Sequence, residues 1–294
     1  MASARRAALL ALFAAVPAAC RSGTAEPDPR VLREGFVKSS DGVPIHFVAG
    51  GRGDTALVFV HGWNGNASWW QPILERFAPD HRVVALDLAG HGKSGRERRD
   101  WTVERFAGDV AAVVRGLDLR GVVLLGHSMS GAITVEAARV LGQRVVLLVP
   151  VDTLQDADWD LPSEAWKQFF GGLRADYPRA VERFFRGQLA APGSPPEVID
   201  RVVADARRAD PALAVPMLER AREFDLRTAL RDTRVPIHAL NTDRTPTRLD
   251  RNRRYHARFD VELLPGLGHW PMLEAPAAFG DALERVLEEH DLRD

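Results

Sequence analysis

The stretch Gly126-His127-Ser128-Met129-Ser130-Gly131 sets a serine between an apolar run, residues 122–125, and a helix-like run, residues 132–141. A strand, a sharp turn with serine at its apex and a helix form the setting of a nucleophile elbow. The turn strains the serine backbone, which demands small neighbours. It also presents the hydroxyl near a helix N-terminus, where free backbone N–H groups can receive developing negative charge. A serine hydroxyl is a poor nucleophile near neutral pH and needs an adjacent base. Histidine suits that task because its pKa lies near the working range. Of the nine histidines, His269 is the candidate, in Gly266-Leu267-Gly268-His269-Trp270-Pro271-Met272-Leu273-Glu274, directly after the apolar residues 261–264. The glycines let the chain turn back over a sheet edge, and Pro271 and Pro276 open a helix. His127, beside the serine, is expected to point away from it. His61 and His91 are expected to fill structural roles in turns.

These segments resemble the α/β-hydrolase superfamily, and the resemblance covers most of the chain after about residue 35. One departure is plain: the family pattern is Gly-x-Ser-x-Gly, and its last glycine is here Ser130, followed by Gly131. The resemblance implies that His269 occupies the family's late histidine loop. Acyl transfer places charge on oxygen in its transition state and so requires two hydrogen-bond donors. The backbone N–H of Met129 is one. The other is implied to come from His61-Gly62-Trp63-Asn64-Gly65, which follows the run 57–60; Trp63 is the first choice, Asn64 the weaker one.

The acid that must orient the histidine has two candidates. Most of the superfamily carries it after the strand that here covers residues 236–240, in a pattern that falls on Thr245, which cannot be charged; Asp243 stands two residues earlier. Some relatives place the acid after the preceding strand instead. Asp152 stands there, 24 residues beyond Ser128, and is preferred, with Asp243 as the alternative. The segment Asp87-Leu88-Ala89-Gly90-His91-Gly92-Lys93-Ser94 also resembles a family turn. Its Gly92-Lys93-Ser94 imitates the end of a phosphate-binding loop. That loop needs a glycine five residues before Gly92, and Asp87 occupies the position, so nucleotide binding is rejected. No metal-ligand spacing and no cofactor motif is present.

The elements that must position these residues recur along the chain. Residues 36–38 and 45–48 flank Asp41-Gly42, a hairpin signal. Residues 57–60, 83–86, 122–125 and 145–149 are continuous apolar runs, as strands buried on both faces should be. Residues 236–240 and 261–264 add two more, and 69–77, 103–117, 132–141 and 279–290 pattern as helices. The expected fold class is α/β: a mostly parallel sheet with helices on both faces. Residues 154–233 contain no convincing strand. They are rich in aromatics (Trp159, Trp166, Phe169, Phe170, Phe184, Phe185) and punctuated by Pro162, Pro178, Pro195, Pro196, Pro211 and Pro216. Such a length is no loop; it resembles the helical cap inserted over the site in this superfamily. Most of its aromatics are expected to pack the cap helices together and a few to face substrate. The hydrolase core is then divided into residues 34–153 and 234–294.

The chain has 294 residues, 46% of them hydrophobic, and a net charge of −1. That length sustains a full core, and near-neutral charge gives nucleic acid no electrostatic handle. Arg-rich stretches such as residues 251–254 alternate along the chain with acids, Asp250 among them, and read as a solvated helix face. Arg5 and Arg6 precede an apolar run, residues 7–19, and Ala18-Ala19-Cys20 resembles the end of a bacterial lipoprotein signal, although Pro17 replaces the usual aliphatic residue. A signal over 1–20, lipidation of Cys20, a polar tether over 21–33 and an exported, envelope-bound location are the expectations. With one cysteine in the chain there is no internal disulfide.

The residues thus point to a serine hydrolase that cleaves a carboxylic ester through an acyl-enzyme. Serine at the elbow argues against dehalogenase and epoxide hydrolase chemistry, which form the ester on a carboxylate. Acyl transfer to another acceptor and cofactor-free haloperoxidase-like activity would use the same three residues. A ligand-binding lipoprotein without catalysis is the alternative from another class. Oligomeric state is left open.

Overall fold

The computed structural model describes residues 28–293. The expected signal, Cys20 and most of the expected tether lie outside them. The eight strands are β1 (Arg33–Lys38), β2 (Pro44–Gly51), β3 (Ala56–Val60), β4 (Arg82–Leu86), β5 (Val122–His127), β6 (Val145–Val151), β7 (Ile237–Thr242) and β8 (Phe259–Leu264). They form one sheet in the order β1-β2-β4-β3-β5-β6-β7-β8. β1 and β2 pair antiparallel, as do β2 and β4; all later pairs are parallel. The hairpin turns at Gly42, φ 87°, as Asp41-Gly42 requires. The expected tether boundary falls at the first residue of β1, and Pro29 already accepts a hydrogen bond from Gly51 N at 2.9 Å.

Period-two alternation sorts the strand residues onto two faces. Leu57, Phe59, Val123 and Leu125 enter one core cluster. Ala56, Val58, Val60, Val122 and Leu124 enter the other. Both faces are covered, which is why these strands read as unbroken apolar runs. On the first face lie α1 (Gln71–Phe77) and the last helix, Pro276–Glu289. On the second lie α2 (Val103–Gly116) and α3 (Ser130–Leu141). The amphipathic α2 starts on Thr102, whose hydroxyl accepts from Arg105 N at 3.3 Å.

Between β6 and β7 the chain forms α4 (Ser163–Ala175), α5 (Tyr177–Phe184), a π-helical turn (Phe185–Leu189), α6 (Pro196–Arg208), α7 (Pro211–Ala221) and α8 (Leu226–Asp232), with no strand. Most of its prolines sit before or at helix starts, as expected. Pro216 does not: it lies inside α7. The aromatics form a run of ring contacts, Trp159 to Trp166, Trp166 to Phe169 and Phe170, Phe169 to Phe184, and Phe184 to Phe185. Phe185 in turn meets Trp270, beside His269. After β7 come the short α9 (Leu249–Asn252) and α10 (Pro271–Glu274), then α11 (Pro276–Glu289). Among the described residues no helix is long and apolar enough to cross a membrane.

Candidate active site

Parallel neighbours end at the same sheet edge, so the loops after β3, β5, β6 and β8 gather there. Val60 pairs with Gly126, and Gly126 with Pro150. This registration brings His61, Ser128 and Asp152, each just past its strand, to one edge.

Ser128 has φ 55°, the left-handed region that costs a non-glycine residue energy. The turn is held by Ser128 N donating to Val151 O (3.0 Å) and Gly131 N donating to Ser128 O (2.9 Å). Gly126 must lack a side chain: a Cβ there would stand 2.3 Å from Ser130 O and 2.6 Å from Thr134 Oγ1, so α3 approaches β5 only over a glycine.

His269 Nδ1 and Asp152 Oδ2 are 2.5 Å apart, a short charge-assisted contact. The other carboxylate oxygen accepts from Thr242 N (3.1 Å) and Thr242 Oγ1 (2.8 Å) at the end of β7. Burial pushes the Asp152 carboxyl up, but its bond to His269 and the two Thr242 donors outweigh that and hold it well below the usual carboxylate range. Asp152 is also at positive φ, 44°. Asp243, the alternative acid, is exposed and accepts from Gly266 N at 2.9 Å. The structure brings Asp152 to the histidine and gives Asp243 to the loop after β8.

The loop after β3 lies against the serine. A Cβ on Gly62 would come within 3.0 Å of Ser128 Cβ. Trp63 anchors this loop to the inserted helices through Nε1, which donates to Ala214 O at 2.7 Å, and through edge contacts with Tyr177 and Phe185. Asn64, at φ 61°, donates to Tyr177 Oη at 2.8 Å.

The sequence pattern missed several positioning residues. His127, expected only to point away from Ser128, lies with its ring 4.7 Å from the His269 ring and donates from Nε2 to His269 O at 2.7 Å. Burial and the neighbouring His269 lower its pKa to about 3, so it is neutral near pH 7. Glu274 gathers the histidine loop, accepting from Gly268 N (2.8 Å), Trp270 N (3.1 Å) and, from the inserted segment, Ser194 Oγ (2.7 Å). His269 N itself donates to Leu189 O at 2.9 Å. The only legible signal for these roles was proximity in sequence to Ser128 or His269. Asp87, which displaced the phosphate-loop glycine, instead ties three segments: it accepts from Ala67 N (2.6 Å) and Lys93 N (2.9 Å), and bonds His46 Nδ1 (2.8 Å).

Comparison with known proteins agrees with this architecture. The model of the alpha/beta hydrolase family matches residues 57–282. The chain belongs to that family. The relatives that this α/β hydrolase matches include ester hydrolases. It is 32% identical over 204 residues to a pimeloyl-[acyl-carrier protein] methyl ester esterase of Sodalis glossinidius, covering 66% of this chain and 77% of that protein. To a non-heme chloroperoxidase of Streptomyces lividans it is 36% identical over 152 residues, 48% of this chain and 55% of that one. The chain spans 28% and 55% of the length of two of the curated relatives it matches. Among solved structures, a bromoperoxidase from Bacillus anthracis superposes with a TM-score of 0.78 at 19% identity, over 87% of this chain and all (100%) of that one. At that identity the likeness shows the fold.

Proposed function

We propose that this α/β hydrolase cleaves a small-molecule carboxylic ester through an acyl-enzyme on Ser128. The observation that carries the reading is the buried Asp152–His269 hydrogen bond at the sheet edge where Ser128 tops its strained turn. With Asp152 ionised and bound to Nδ1, His269 keeps its proton there and offers Nε2 as a base. It takes the Ser128 proton as the oxygen attacks the ester carbonyl. The amides of Trp63 and Met129 stabilise the oxyanion. His269 then protonates the leaving alcohol, and water activated by the same imidazole releases the acid. The helices between β6 and β7 serve as the cap that confines the substrate. Resemblance to methyl ester esterases supports an ester as substrate. We further propose export, with Cys20 as a lipid anchor.

The test is labelling with a fluorophosphonate probe, followed by mapping of the modified residue and by turnover of p-nitrophenyl esters of graded chain length. The expected outcome is a single adduct on Ser128, with labelling and turnover both lost in Ser128→Ala. A well-folded protein that neither labels nor turns over any ester would overturn the proposal in favour of a ligand-binding role.

A further inference from the structure

Ser130 stands where the family motif has its last glycine, and its side chain is fully buried. Its hydroxyl donates to the backbone carbonyl of His61 at 2.5 Å. That bond links the first turn of α3, two residues beyond the nucleophile, to the loop that carries the second oxyanion donor. The next carbonyl along the loop is held as well. Gly62 O accepts from His61 Nδ1 at 2.7 Å and from Gly65 N at 3.0 Å. The His61 ring cannot turn away from this task, because its Nε2 accepts from Leu88 N at 3.0 Å. That acceptor role puts the ring proton on Nδ1, where Gly62 O needs it.

Planar peptides convert held carbonyls into aimed amides. No cis peptide occurs in the described chain, so each N–H points opposite the carbonyl of its own peptide unit. Fixing Gly62 O therefore fixes the direction of the Trp63 N–H. Fixing His61 O sets the peptide plane before it, and Gly62 packs directly against Ser128. Burial lowers the pKa of His61, which keeps the ring neutral and able both to accept and to donate.

We infer that Ser130 and His61 are positioning residues for the oxyanion hole: the Ser130 hydroxyl fastens the His61 carbonyl, the His61 ring fastens the Gly62 carbonyl, and together they aim the Trp63 amide at the oxygen of the tetrahedral intermediate. This inference rests on the acyl-enzyme reading above. Oxyanion donors act on acylation and deacylation alike, whereas they touch the ground-state ester little. A misaimed donor should therefore reduce kcat without weakening binding.

The experiment uses the full chain with p-nitrophenyl butyrate and a fluorophosphonate as probes, comparing wild type with Ser130→Ala and Ser130→Gly. Both variants are expected to lose about 10- to 100-fold in kcat, short of the loss when a donor is removed outright. KM should stay within about twofold, and the pH profile of kcat should keep its shape because the Asp152–His269 pair is untouched. The rate of phosphonate inactivation should fall in parallel with kcat/KM. Wild-type kcat in both variants, with wild type still labelled at Ser128, would overturn the positioning role and leave the acyl-enzyme reading standing. A fall in kcat that comes with a displaced pH profile, or that disappears when the assay temperature is lowered in step with a reduced Tm, would also overturn it. Failure of the wild type to label would overturn both.

Discussion

His127 Nε2 donates to the backbone carbonyl of His269 across 2.7 Å, so the residue before Ser128 holds the main chain of His269. The ring is also in edge contact with Trp69, and its Nδ1 is buried without a hydrogen-bond partner among the described residues. The neutral ring thus does one job, through one proton. Replacing it with Phe keeps an aromatic in place but leaves His269 O unsatisfied, at a cost of about 1–3 kcal/mol. His127→Phe is expected to lower kcat by about an order of magnitude and Tm by several degrees. His127→Gln, which restores a donor, should recover part of both. Ester kinetics and thermal melts of the two variants check this; unchanged kcat in His127→Phe would remove His127 from the positioning set.

The choice of acid is decided by two substitutions. In Asp152→Asn the amide oxygen can still accept from Thr242, so the fold should survive. The imidazolium loses its compensating charge and the favoured tautomer is disturbed, and the expected loss in kcat is about 10⁴-fold. Asp243→Asn preserves an acceptor for Gly266 N and should leave turnover within about twofold of wild type, since a surface substitution of this kind perturbs little. The measurement is kcat on one ester, with circular dichroism as the control for folding. Collapse of Asp243→Asn beside a fully active Asp152→Asn would reverse the assignment.

Most of the sheet was legible because burial on both faces writes strands as unbroken apolar runs. Residues 122–125 announce β5, yet the strand continues through Gly126 and His127, which are there for the site and not for the core. β1 starts earlier than its apolar residues suggest because it is an edge strand whose first residues, Arg33 and Glu34, are exposed. Local setting singles out Ser128 and His269, and distance to Ser128 singles out Asp152, which meets His269 at 2.5 Å. The roles of Thr242, Ser130, His61 and His127 were not legible, since each depends on a contact made only when the loops meet at one edge; His127 and His269 are 142 residues apart. Pro216 misled for a different reason. Proline breaks helices often enough to be read as punctuation, but within the packed inserted segment α7 accommodates it.

Membrane attachment is expected to depend on a single sulfur. Cys20 follows the apolar run of residues 7–19, and no second cysteine can substitute for it. Cys20→Ala should move the protein from the membrane to the soluble fraction while its turnover of soluble esters stays unchanged, because the proposed catalytic residues lie more than a hundred positions away in the folded domain. Fractionation by ultracentrifugation with a detergent control measures this. A wild type already soluble after export would end the lipoprotein reading without touching the catalytic one.

Acid should destabilise this fold well before its carboxylates are neutralised. His91 and His127 are buried, and burial foremost lowers each from 6.5 to about 3. A histidine whose folded pKa lies below its unfolded value binds its proton more readily when unfolded. Its contribution is therefore complete above pH 6.5 and shrinks as pH falls toward 3, by up to about 1.4 kcal/mol per pH unit for each ring. Tm is accordingly expected to fall steadily between pH 6.5 and 4. His91 Nδ1 donates to Ala89 O at 3.1 Å, so His91→Asn can keep a donor there while removing one titrating group. The slope of Tm against pH should be shallower in His91→Asn than in wild type, even if the variant is less stable at pH 7. Parallel slopes for the two proteins, measured by calorimetry across that interval, would show that the buried imidazoles do not set the acid limit.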